Sequence, residues 1–480
     1  MHSTSKPFLI ASLFAMTLAP SVRAEPVPAF EDEARAILDE LLRVDTSHGH
    51  ETAALEPIAR RLRKAGVPVE IVESAPGRGN LIARVKGSGK KRPLLLLAHI
   101  DVVPIEGQPW TSPPFSPTEK DGFLVARGVG DDKSMAAGIA ATALAVAREK
   151  TPLARDLIVA LTAGEETGGE AGVRWLVAHR RDRIDAELAL NEGGPLVLTD
   201  DGERVEYAGI GAAEKTYQSF RLTARGKGGH SSMPSPEADT VTHLARALVR
   251  IGEHRFPAKI LPAARDYLAL RASVEKPPLA DALRRAAAAK PDAAGIAPVT
   301  DADDRVLSSN ALYNATIRTT CVATQLEGSP ADNVLPTTAT SVINCRILPD
   351  ETREGTERAL ATAIGDPGIE IAALAEIGVA PASPVDSALG REVTEAVKRA
   401  AAKAFGPGAV PVVHTLGTGA TDSRHLRAVG IASYGLSSAP ITLEESLKGR
   451  GAHGPDERRP IKWLAPGARY LREIILTLAK

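Results

Sequence analysis

Apolar and polar positions follow two different rhythms along this chain, and the change between them divides it. Up to about residue 211, helical periodicity and short apolar runs take turns. Apolar residues recur at three- and four-residue spacing over 30–42 and 53–65, which predicts two amphipathic helices. Continuous apolar runs at 67–72, 81–85, 94–98, 157–162 and 188–190 read as buried strands, and helical patterns at 134–148 and 169–179 separate the later ones. Such alternation predicts an α/β fold around a mixed, largely parallel central sheet. From Thr216 the order becomes strand (217–224), helix (238–251), two strands (316–326 and 337–348), helix (351–364) and strand (369–374). That βαββαβ order predicts a split, ferredoxin-like α+β unit. An Ala- and Pro-rich insert with partial helical character falls at 256–310, and α/β character resumes with a helix at 389–405. The expected organisation is a larger domain formed by 25–211 and 380–480, with a smaller one, 212–379, inserted into it.

Polar residues punctuate the ends of the predicted strands, where ligands gather in open α/β sheets. They read Leu97-Ala98-His99-Ile100-Asp101, Arg127-Gly128-Val129-Gly130-Asp131-Asp132-Lys133, Gly164-Glu165-Glu166-Thr167, Asn191-Glu192-Gly193-Gly194 and Ala452-His453-Gly454-Pro455-Asp456-Glu457. Each piece alone has a plainer reading. A His-x-Asp pair is commonly a satisfied core pair, Glu-Glu a solvated helix face, and Asp-Asp-Lys a charged helix start favoured by the helix dipole. Together, at strand ends, they suit a site for two divalent metal ions. Asp131 has two carboxylate oxygens and is the expected bridge; His99 and Glu192 complete one ion's ligands, Glu166 and His453 the other's. Zinc is the default for this imidazole and carboxylate set, and cobalt or manganese fits the same donors. Asp101 is expected to orient the His99 imidazole. Glu165 need not bind metal and is expected to act as the general base that takes a proton from water and passes it to a leaving amine.

Bulk properties narrow the class. At 480 residues the chain exceeds a single typical core, in keeping with two domains. A net charge of −1 and an aromatic content of 4% argue against a basic, base-stacking surface, so nucleic acid is not an expected partner. His2 and Lys6 precede an apolar stretch at 8–16, followed by Val22-Arg23-Ala24. This pattern predicts a secretory signal cleaved after Ala24, hence an exported, periplasmic or secreted protein with no membrane span. Cys321 and Cys345 can pair in an oxidising compartment, or serve as two small buried hydrophobes.

These motifs resemble the co-catalytic zinc metallopeptidases that include aminoacylase, carboxypeptidase G, carboxypeptidase S and the succinyl-diaminopimelate desuccinylases. The resemblance covers nearly the whole mature chain. It implies a zinc-exopeptidase-like catalytic domain with an inserted lid and dimerisation domain, and so a homodimer. It implies the same ligand set and the same roles for Asp101 and Glu165. It also implies that His230, in Gly228-Gly229-His230-Ser231-Ser232, stabilises the oxyanion; in dimeric members this histidine comes from the partner subunit. Asn333 matches a lid asparagine that holds substrate, and Arg346 an arginine that receives the substrate's α-carboxylate. Gly417-Thr418-Gly419, ahead of Asp422, resembles the loop that contacts the same end of the substrate. Two features depart from the common pattern. Gly164 stands where many relatives carry Asp. The long insert resembles the carboxypeptidase S branch and secreted N-acyl amino acid hydrolases, which tilts the substrate toward blocked dipeptides or N-acyl amino acids with an apolar portion. The expected activity is therefore hydrolysis of an amide bond beside a free-carboxylate amino acid. An aminopeptidase is the rival within enzymes, disfavoured by Arg346; an exported, catalytically silent binder is the rival outside them, disfavoured by Glu165.

Overall fold

The computed structural model describes residues 1–2, 28–235, 239–329, 331–375, 381–406 and 410–480. The expected signal segment lies outside these beyond its first two residues, as does Ala238 at the start of one expected helix.

Apolar strands fill the middle of a ten-stranded sheet. Its order is Val69–Glu73, Gly79–Val85, Leu157–Thr162, Leu94–His99, Leu188–Glu192, Ala432–Leu436, Val205–Glu214, Leu196–Leu198 and Ile441–Thr442, with Val412–Gly417 also paired to Val205–Glu214. The four central strands from Leu157–Thr162 to Ala432–Leu436 run parallel, and antiparallel joins flank them. The expected mixed, largely parallel sheet is therefore present. Leu94 to His99 are all buried, as a strand covered on both faces must be. Helices Phe30–Leu42, Lys133–Glu149, Ala388–Phe405 and Ile461–Ala479 cover one face, and Val173–His179 and Ser423–Ala428 the other. Leu96 belongs to the first of these cores and is fully buried, so truncating it to Ala would cost about 2–5 kcal/mol. The Lys133–Glu149 helix is rich in alanine and buried from Lys133 to Val146, which lets it lie close against the sheet.

A second sheet has the order Thr320–Glu327, Thr338–Ile347, Thr216–Arg225, Ile369–Ala373, antiparallel throughout. Helices Thr240–Glu253 and Arg353–Ile364 pack together over its apolar side. This is the ferredoxin-like arrangement expected from the βαββαβ order. The chain passes from the large sheet into the small one at Lys215, between Val205–Glu214 and Thr216–Arg225. Lys215 is buried, and its Nζ donates to the Ala315 and Arg318 carbonyls (2.9 and 2.8 Å) and to Thr320 Oγ1 (3.1 Å). It thereby ties the crossing point to the C-terminal end of helix Ala311–Ile317, where a cation is favoured.

Some boundaries differ from expectation. Strand character was expected from 316, but Asn310 Oδ1 caps a helix by accepting from Leu312 N and Tyr313 N, and the strand starts at Thr320. The insert is largely helical, with Pro262–Val274, Leu279–Ala288 and Asp301–Leu307 sharing a core that includes Leu416 of the large sheet. Cys321 and Cys345 face each other across paired strands and form a disulfide. Among the described residues no helix is long and apolar enough to cross a membrane.

Candidate active site and metal centre

His99 and Glu192 are the last residues of two adjacent parallel strands, so both side chains leave the sheet at its carboxyl edge. Glu165 and Glu166 follow the neighbouring Leu157–Thr162 strand on a single 3₁₀ turn. Asp131 precedes the Lys133–Glu149 helix across a cis peptide to Asp132. His453 comes from a loop near the end of the chain.

Two three-residue groups result: His99, Asp131 and Glu192, and Asp131, Glu166 and His453. Within each group the candidate ligand atoms lie within 4.8 Å of one another. Asp131 belongs to both. Its Oδ1 is 3.0 Å from His99 Nε2 and its Oδ2 is 3.1 Å from His453 Nε2. His99 Nε2 is also 3.6 Å from Glu192 Oε1, and His453 Nε2 is 3.1 Å from Glu166 Oε2. The structure thus assembles all five expected ligands with Asp131 central.

Electrostatics test whether this set suits cations. Burial pushes Glu165 up to about 9, helped by the charges of Asp422, Glu166 and Asp131 and opposed by His99. Burial and the Asp131 charge likewise push Glu192 well above the usual carboxylate range. Asp131 shows the reverse: hydrogen bonds from His453 and His99 overcome its burial and hold it well below its ordinary value. Hydrogen bonds to Asp131 and Glu166 push His453 up to about 10. Anionic groups crowd here at the cost of their own ionisation, with the two imidazoles and the buried Arg459 as opposing charges. A pair of dications fits such a donor set, since it stabilises every carboxylate as an anion.

Supporting groups fix the ligands. Asp101 has a wider role than orienting an imidazole. His99 Nδ1 lies 3.0 Å from the Asp101 carbonyl and 3.5 Å from its carboxylate. That carboxylate also accepts from the backbone amides of Glu165 and Glu166, each at 3.1 Å, so it positions the two glutamates together. Gly164 makes the turn possible. Its φ is +70°, and a Cβ there would lie 2.9 Å from Ala171 Cβ and 3.1 Å from Arg78 Nη2. An Asp at this position would therefore be strained, and Asp101 supplies the local support instead.

Glu457, quoted within the last motif but given no expected role, proves central. It is fully buried. One oxygen accepts from Arg127 Nη1 and Gly128 N, both at 2.9 Å; the other accepts from Gly130 N (2.7 Å) and Asp131 N (3.2 Å). It therefore locks the Asp131 loop to the loop carrying His453. A Cβ at Gly130 would fall 1.9 Å from Nη2 of the buried Arg459, whose guanidinium is held by the Ala439 and Gly451 carbonyls.

The cluster opens into a cleft of about 880 Å³ that Glu165, Tyr217, Arg346, Gly419 and Arg424 help to line. Arg346 projects from the small sheet and its guanidinium lies 4.7 Å from the centre of the Tyr217 ring. Gly417 ends its strand, and Thr418 and Gly419 form the following bend. His230 and Asn333 sit elsewhere. His230 is exposed on a two-residue ladder paired with Val334, and the Asn333 carbonyl accepts from Ser231 N at 3.1 Å. The structure brings these two together with each other but places neither among the residues lining the cleft of its own chain. Arg424 and His425, which do line it, were not anticipated; their one signal was their place directly after Thr421-Asp422-Ser423.

Comparison with known proteins gives this arrangement a context. Residues 95–477 match the family described as peptidase family M20/M25/M40. Among similar curated proteins are the N-fatty-acyl-amino acid synthase/hydrolases of Mus musculus and Xenopus tropicalis. The mouse protein is 27% identical, with 94% of this chain and 90% of that protein covered. The frog protein is 29% identical, with 78% and 70% covered. Among solved structures, an M20 family metallo-carboxypeptidase from Sulfolobus solfataricus superposes with a TM-score of 0.66. It is 17% identical, and 93% of this chain and 99% of that one are covered. A dinuclear metal-binding M20 peptidase from Bacillus subtilis gives a TM-score of 0.57 at 15% identity, covering 94% and 98%.

Proposed function

The chain belongs to peptidase family M20/M25/M40, and from that premise we propose an exported two-metal hydrolase that cleaves amide bonds of N-acyl amino acids or short peptides beside a free carboxylate. The observation that carries this reading is one cleft lined together by Asp131, Glu166, Glu192 and His453 of the candidate ligand cluster, by Glu165 and by Arg346.

Cations held by His99, Asp131 and Glu192 and by Asp131, Glu166 and His453, zinc first and cobalt or manganese next, would polarise the scissile carbonyl and acidify water. The chain's own residues do the rest. Arg346 receives the α-carboxylate and sets which bond faces Glu165. Asp101 fixes the base through the Glu165 amide. Glu165 takes the proton of the attacking water at its carboxylate and hands it to the departing nitrogen. Gly417, Thr418 and Gly419 border the carboxylate end of the substrate. His230, with Asn333 beside it, stabilises the oxyanion from the partner subunit of a homodimer, which accounts for its position away from the cleft of its own chain. The 212–379 unit acts as lid and dimerisation domain on a catalytic body of 25–211 and 380–480.

Similarity to N-fatty-acyl-amino acid hydrolases favours an apolar acyl group. The leader pattern ending at Ala24 and the Cys321–Cys345 disulfide favour an oxidising compartment outside the cytoplasm. An aminopeptidase would need an anionic pocket for the substrate amine, and the guanidiniums of Arg346 and Arg424 are the wrong charge for it.

The test offers purified protein a panel of N-octanoyl amino acids, dipeptides and aminoacyl amides, with and without chelator. The proposal expects chelator-sensitive turnover confined to compounds with a free carboxylate. Preference for free-amine aminoacyl amides would replace it with the aminopeptidase reading.

A further inference from the structure

Two guanidiniums line the cleft from different walls. Arg346 stands on the Thr338–Ile347 strand of the small sheet, and Arg424 on the Ser423–Ala428 helix of the large one. Among the described residues neither has a carboxylate partner. Arg346 rests on the Tyr217 ring. Arg424 donates from Nε to His425 Nε2 at 3.2 Å and from Nη2 to the Gly168 carbonyl at 3.3 Å. His425 is a neutral partner, since burial and the Arg424 charge push it down to about 4. The Gly168 contact ties the Arg424 guanidinium to the loop that carries Glu165 and Glu166, the His425 contact holds it against its own helix, and both partners are neutral. The two arginines also sense each other: the Arg424 charge adds to burial in lowering Arg346 below its ordinary value.

The nearest buried acids, Glu214 and Asp422, feel the Arg424 charge but form no ion pair with it among the described residues. Glu214 pairs directly with Arg427 at 3.2 Å and accepts from Thr421 N and Oγ1. Asp422 lies 3.5 Å from Thr162 Oγ1 and forms no ion pair with Arg424. Two like charges facing one cleft complement a single anion set between them, because each then gains a charge-assisted bond and their mutual repulsion is screened.

Resting on the amide-hydrolase reading above, we propose that Arg424 is a second carboxylate-binding residue, and that it and Arg346 hold the same substrate α-carboxylate from opposite walls. Arg424 reaches that carboxylate from the Ser423–Ala428 helix, tethered through the Gly168 carbonyl to the loop that carries Glu165. The substrate's charged end is thereby fixed relative to the general base as well as to the small sheet. Its bound carboxylate joins the two domains.

The experiment compares N-octanoyl-leucine with N-octanoyl-leucinamide on the metal-loaded enzyme. The proteins are wild type, Arg424→Gln, Arg346→Gln, the double variant and Arg424→Lys, with thermal unfolding and metal content measured for each. The proposal expects Arg424→Gln to lower kcat/KM about ten- to a hundredfold on the acid and to leave the amide nearly unchanged. The double variant should lose less than the product of the two single losses, because both act on one group. Arg424→Lys, which keeps the charge, should recover part of the loss. Equal losses on acid and amide would assign Arg424 to holding the loop and overturn the proposal. A loss only on substrates with a second carboxylate, tested with N-octanoyl-glutamate, would overturn it in favour of a separate acid subsite. If Arg346→Gln discriminates acid from amide and Arg424→Gln does not, this proposal alone fails; if neither discriminates, the carboxylate reading itself fails.

Discussion

Replacing Glu457 by Gln should damage the enzyme nearly as much as replacing it by Ala. Each carboxylate oxygen accepts two N–H groups, Arg127 and Gly128 at one, Gly130 and Asp131 at the other. Whichever oxygen becomes an amide NH₂ then faces two donors with a donor of its own. Arg127 is buried as well, so its charge loses its partner away from water. Breaking one side of a buried pair costs about 3–5 kcal/mol. Misplacing the Asp131 loop should weaken metal binding by about ten- to a hundredfold, the usual effect of losing a group that orients ligands. Urea unfolding of the metal-free protein reads the first effect, and zinc titration against a chelating dye reads the second. A stability loss under 1 kcal/mol with unchanged zinc affinity would refute the argument that Glu457 couples the two ligand loops.

Other outcomes follow from the same geometry. His425 has an ordinary value of 6.5 and is pushed down to about 4 in the fold, so the unfolded chain binds its proton first as pH falls. Its contribution is complete above about pH 6.5 and disappears toward pH 4, by at most about 3 kcal/mol; His425→Asn should flatten the slope of unfolding free energy in that window. Replacing Cys321 and Cys345 by Ser opens a loop with a sequence separation of 24, and should lower stability by about 3 kcal/mol in the chain-entropy view; an unchanged midpoint in the thermal scan would contradict this. If His230 acts across a dimer, mixing inactive His230→Ala and Glu165→Ala subunits should restore activity, because one site of each mixed pair has both groups intact. No recovery on mixing, under conditions that exchange subunits, would place the action of His230 within its own chain.

His99, Glu166 and Glu192 were legible because each ends or closely follows a continuous apolar run, whereas Asp131 and His453 lie on glycine-rich loops and were legible only through the joint pattern. A strand buried on both faces leaves little freedom in where its last side chain points. The ferredoxin-like unit was legible from the order of its elements. What escaped prediction depends on partners distant in sequence. The Val205–Glu214 strand was not anticipated because its glycines and alanines make no apolar run; Gly209 and Gly211 are small because Pro195 and the Gly193 carbonyl press against them. Glu457 showed no role because its four donors lie more than three hundred residues earlier. Arg424 carried no expectation, because the walls that meet at the cleft come from segments distant in sequence. The position of His230 away from the cleft of its own chain had no signal in the residues themselves; only the family resemblance implied a role across subunits.

The central claim is that Asp131, flanked by two imidazoles and two glutamates, holds two metal ions beside a separate general base. The most direct test measures metal per chain and hydrolysis of N-octanoyl-leucine in the wild type and in Glu165→Ala. The account predicts two zinc ions in both proteins, with turnover lost in the variant. Loss of one ion in the variant would make Glu165 a ligand, and retained turnover would remove it from the chemistry; either result contradicts the account.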